Sequence, residues 1–109
     1  MTKIDFHTHC FPDRLAPRAI QTLSDNSGGI TPFFDGTAAG LSALLNKSGV
    51  DFGVVQSIAT NEHQMHAVND FAKTVLDSSS LNLYAFGSVY PKSCHALDEA
   101  RRVKESGLC

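Results

Sequence analysis

The sequence predicts an α/β chain built on parallel strands, and three observations carry that prediction. Short apolar runs alternate with stretches of helical periodicity, in the order strand, helix, helix, strand, helix, strand, helix. Each strand-plus-helix unit takes about 30 residues, the length of a crossover between parallel strands. In the second apolar run Phe52, Val54, Val55 and Ile58 are nearly continuous rather than alternating, which suits a buried parallel strand.

The elements follow in order. Residues 3–9 alternate as a strand does, with Ile4, Phe6 and Thr8 on one face and Asp5, His7 and His9 on the other. Pro12 and Pro17 bracket the start of a helix over 16–25, whose apolar side is Leu15, Ala19, Ile20 and Leu23, and Asn26-Ser27-Gly28-Gly29 ends it. Residues 28–36, with Pro32, Phe33, Phe34 and Gly36, read as a loop. Ala38, Leu41, Leu44 and Leu45 recur at helical spacing over 37–48, and Ser48-Gly49 stops that helix.

The second strand is 51–58. Thr60-Asn61 opens the next helix, where Gln64 sits three residues past Asn61 as in a capping box and Glu62 suits the positive helix end. Its inner stripe is Met65, Val68, Ala72, Val75 and Leu76, and Ser78-Ser79-Ser80 ends it. The third strand is 82–89. Ser93 is expected to cap a last helix running to about Ser106, with Gly107 as its C-terminal cap.

Composition narrows the function classes. A net charge of −2 with a pI near 6.2 leaves no basic footprint for nucleic acid. No run of about 18 apolar residues predicts a membrane span. Met-Thr-Lys followed by a strand lacks the apolar stretch of a signal peptide. Cys10, Cys94 and Cys109 are odd in number and unpatterned, so reduced thiols in a cytoplasmic protein are expected.

The chemistry concentrates at the end of the first strand. Two neutral imidazoles one residue apart, His7 and His9, project together from a rigid strand and make half of a site for a first-row metal ion. Asp5, His7, His9 and Pro12 spell D-x-H-x-H-x-x-P, which resembles the opening of the amidohydrolase superfamily, in the branch of 2-amino-3-carboxymuconate semialdehyde decarboxylase and related metal-dependent hydrolases. Asn69 on a helix after the second strand, and Leu83 to Pro91 as a third strand with its closing proline, extend the likeness in a more generic way.

That resemblance implies one divalent ion, most often zinc, held by His7 and His9 with further ligands that lie beyond Cys109. It implies hydrolysis of C–N or C–C bonds, or decarboxylation of unsaturated acids without oxidation, on a small-molecule substrate. The ion would acidify a water to a pKa near 7 and polarise a carbonyl or carboxylate.

A doubly wound sheet and a (β/α)₈ barrel both fit the element order. Barrel chemistry sits at the carboxyl ends of strands, where His7 and His9 lie, so the expectation is that residues 1–109 form the N-terminal three βα units of one TIM-barrel domain, truncated before strand four. Such a portion would be inactive alone, with open strand edges that favour a homo-oligomer.

Two other classes stay open. A PHP-type phosphoesterase also carries D-x-H-x-H, although Phe11-Pro12 argues against it, and a non-catalytic module that assembles with a complementary half is the other. His63 and His66 share a polar helix face with Asp70 and Lys73 and read as solvated. Cys94 is expected to pack inward, which leaves Cys94-His95 a poor metal pair, while Cys10 reads as a buried thiol. Phe33 and Phe34 either line a substrate pocket or plug a rim.

Overall fold

The computed structural model describes residues 1–108; Cys109 lies outside the described residues. Three parallel strands, β1 (Ile4–Thr8), β2 (Phe52–Gln56) and β3 (Leu83–Phe86), form a sheet in the order β1-β2-β3. Helices α1 (Ala16–Asn26) and α2 (Ala38–Lys47) lie between the first two strands, α3 (Glu62–Leu76) between the second and third, and α4 (Ala96–Glu105) follows β3.

Local chemistry explains where the helices begin and end. Thr37 caps α2 by accepting from the Gly40 N–H at 2.9 Å, and Asn61 caps α3 by accepting from the Gln64 N–H at 3.1 Å. Pro17 falls in the first turn of α1, where its missing N–H costs nothing. Past α4, Gly107 takes a φ of 80°, and the Leu108 N–H turns back to the Val103 carbonyl at 3.2 Å. Ser93 does not cap α4: that helix starts at Ala96 behind His95, which makes no side-chain cap.

Parallel strands in sequential order, joined by right-handed crossovers, put their helices on one side. Leu41 and Leu45 of α2 and Ala72 and Val75 of α3 accordingly pack with Val55, Leu83 and Ala85 in a single core, closed by Cys10 and Leu108. Gly53 admits this packing, since a Cβ there would stand 2.6 Å from the Leu45 methyl. On the other side Ile4, Phe6 and Tyr84 are exposed, and Phe6–Phe86 and Phe52–Tyr84 ring pairs, 6.0 and 5.6 Å between centroids, cover part of the sheet. Gly87 ends β3 with its N–H on the Leu108 carbonyl at 2.8 Å. A methyl group there would overlap the Val103 side chain and come within 3.2 Å of Asn69 Oδ1.

The barrel expectation is corrected by this architecture. The chain is a small α/β domain with an open three-stranded parallel sheet and four helices, and its first crossover carries two helices and a long loop rather than one βα unit. Histidines at a strand's carboxyl end could not decide for a barrel, because open α/β sheets also place their sites there.

Strict alternation along β1 is corrected too. Ile4 and Asp5 pair with Phe52 and Gly53, but Thr8 pairs with Val55, so the strand carries one extra residue between Asp5 and Thr8. Thr8 is buried while Ile4 and Phe6 are exposed, and its hydroxyl donates to the Val54 carbonyl at 2.9 Å.

Candidate metal centre

The irregularity in β1 sets the local geometry of its carboxyl end. Gln56, the last residue of β2, clamps that end twice. Its side-chain amide donates to the Phe6 carbonyl at 2.9 Å, and its own carbonyl lies 2.9 Å from His9 Nδ1. A carbonyl can only accept, so in the neutral ring Nδ1 carries the proton and Nε2 keeps the lone pair. This second contact is the kind that orients metal-ligating histidines. The His7 ring stands edge-on to the His9 ring at 72°, with centroids 5.0 Å apart. Asp5 does not reach between them; its carboxylate accepts the His7 backbone N–H at 3.1 Å.

Both histidines open on a cleft of about 320 Å³ between β1, α1 and α2. Ile20, Leu23, Leu41 and Leu44 give it apolar walls, with Asp5, His7 and His9 at the polar end. The loop after α1 returns to this place because the Phe11 N–H donates to the Gly36 carbonyl at 2.8 Å. That return brings Phe34 into the cleft wall, whereas Phe33 points to solvent with 88% of its surface exposed. Cys10, the next residue, is buried in the core, and loss of solvent pushes its thiol up to about 11, which keeps it protonated and unreactive.

The donor chemistry fits half of a divalent ion's shell: two imidazoles, one with its tautomer fixed. Among the described residues no group of three His, Cys, Asp or Glu that includes both His7 and His9 gathers its ligand atoms within 4.8 Å of one another.

Two features escape the sequence pattern. First, Glu62, Cys94 and His95 gather their ligand atoms within 4.8 Å of one another. Cys94 is exposed rather than packed inward, and Glu62 serves more than the helix end. Second, the polar face of α3 is not solvated throughout, because α4 lies against it. Glu99 is 6% exposed and accepts from Asn69 at 2.7 Å and from Arg102 at 2.6 and 3.1 Å, with His66 Nδ1 at 3.1 Å. Arg102, backed by Asn69 and His66, holds that carboxyl down at about 2 against the cost of burial. His63 is exposed, as its polar surroundings imply. Only an i, i+3 spacing of Glu99 and Arg102 on α4 hinted at this network.

No family model, curated protein or solved structure matches the chain. No helix among the described residues is long and apolar enough to cross a membrane.

Proposed function

We propose that the chain supplies the first two ligands, His7 and His9, of a divalent-metal site, zinc for preference, serving a hydrolase or non-oxidative decarboxylase of the amidohydrolase type. The observation that carries the reading is the ring pair itself: two imidazoles in edge contact, with His9 Nδ1 tied to the Gln56 carbonyl and Nε2 free. The likeness of Asp5-x-His7-x-His9-x-x-Pro12 to that superfamily supports the reaction class. A divalent ion held there supplies Lewis acidity and brings a water's pKa toward 7. The chain's own residues orient: Gln56 fixes the His9 ring, Asp5 steadies the backbone at His7, and Leu41, Leu44 and Phe34 give a small substrate an apolar wall. A reducing, cytoplasmic setting suits the free thiols of Cys10 and Cys94.

Calorimetric zinc titration of the Cys94→Ser chain tests the reading. We expect binding that disappears in His7→Ala and in His9→Ala; binding indifferent to both substitutions overturns it. Catalytic zinc has about three protein ligands, so with two the chain alone is expected to give no turnover of activated esters, amides or unsaturated acids. Turnover abolished by His7→Ala would show instead that two histidines suffice or that a second copy completes the site.

A further inference from the structure

We propose that Glu62, Cys94 and His95 form a second metal site, for a borderline-soft divalent cation such as zinc or cobalt(II). The three come from segments 32 and 33 residues apart in sequence, Glu62 opening α3 and Cys94-His95 leading into α4. They meet because both segments follow the carboxyl ends of neighbouring parallel strands, β2 and β3. One carboxylate oxygen, one sulfur and one ring nitrogen lie within 4.8 Å of one another, and Cys94 Sγ is 3.9 Å from Glu62 Oε1. Ligand atoms around tetrahedral zinc stand about 3.3–3.8 Å apart, given metal distances of about 2.0–2.3 Å. Closing that gap needs only a rotamer adjustment of exposed side chains.

The surroundings already orient the donors. Ser93, itself buried, donates its hydroxyl to Glu62 Oε1 at 2.8 Å and accepts the His95 N–H at 3.0 Å. One side chain therefore ties a ligand carboxylate to the backbone that carries the other two ligands, as outer contacts do around metal sites. The charge also balances. The N-termini of α3 and α4 both present partial positive charge here, which a cation alone would not tolerate. On binding, the Cys94 thiol gives its proton to solvent, and thiolate plus Glu62 carboxylate supply two negative charges against the ion and the helix ends.

Sulfur and imidazole select zinc, cobalt or copper over magnesium and calcium, which prefer oxygen shells. Three protein ligands leave a fourth position open to water or a small ligand. A bound ion would also staple the β2–α3 turn to the β3–α4 turn, joining the starts of two helices.

The test uses the full chain with His7→Ala, His9→Ala and Cys109→Ser, so that the first site is absent and Cys94 is the accessible thiol. Cobalt(II) is the probe, read by its thiolate charge-transfer and d–d absorption. We expect saturation at one ion per chain, displacement by zinc and indifference to magnesium. Cys94→Ser should abolish the charge-transfer band, and Glu62→Gln or His95→Ala should each weaken binding more than about tenfold. No charge-transfer band, a band that survives Cys94→Ser, or an affinity unchanged by both other substitutions overturns the proposal. Because His7 and His9 are missing from this protein, the outcome is independent of the first site.

Discussion

His9 and His66 are both hydrogen-bonded histidines, yet they belong to opposite kinds of region. At the α3–α4 contact the polar groups satisfy one another. His66 Nδ1 meets Glu99 at 3.1 Å, its Nε2 lies 4.0 Å from Asp70, and Arg102 donates to Asp70, to Glu99 and to the His66 carbonyl. At the end of β1 the same side-chain type is fixed by one nitrogen and left free at the other. The comparison separates structure from site. A closed network holds two helices together and has nothing left to offer a ligand, whereas a half-satisfied ring in fixed orientation keeps a lone pair available.

Substitutions should split the two regions cleanly. The largest effect is expected for Glu99→Ala, which removes the acceptor shared by buried Asn69 and Arg102 while Arg102 keeps Asp70; urea unfolding should show a loss of about 2 kcal/mol, with zinc binding to the folded protein unchanged. Acid should reach the same carboxylate. Glu99 titrates near 4.5 when unfolded and near 2 when folded. Its contribution is therefore complete above pH 4.5 and erodes as the pH falls from there to about 2. The stability gap between the wild type and Glu99→Gln should narrow over that interval. A gap of constant size would mean that Arg102 does not hold the carboxylate.

Smaller effects sharpen the contrast. His66→Ala, at a side chain 65% exposed, should cost about 0.5 kcal/mol in the same unfolding assay. His7→Ala should shift stability by less than about 0.5 kcal/mol while removing zinc binding measured by calorimetry in the Cys94→Ser background. A large stability loss there would move His7 into the structural class and break the comparison.

What the sequence made legible follows the range of the forces involved. All four helices fall within about three residues of their expected starts, because caps, prolines and apolar spacing are local signals. Strands were read too long: Ile58 and Val89 continue the apolar pattern but lie beyond the ladder, where no partner residue faces them. The extra residue in β1 was invisible, since register belongs to a pair of strands and not to either alone. Helical periodicity showed that one side of α3 was polar but not that Glu99 and Arg102 would arrive against it from 30 residues away. The same non-locality hid the approach of Glu62 to Cys94. The approach of the two histidine rings was legible because they leave one strand two positions apart, whereas the Gln56 contact that orients His9 was not; the barrel was misread because the same strand-end chemistry is common to open sheets.

The close approach at Gly87 is one of the places where a single added carbon strains the fold. A methyl group there must push against the stiff Val103 side chain, and α4 would carry that displacement toward the Asn69–Glu99 contact. Gly87→Ala should then behave as a conditional allele, giving soluble protein in cool-grown cells and little in warm-grown ones. Val103→Ala, harmless or mildly damaging by itself, should act as its second-site suppressor by making room for the added carbon.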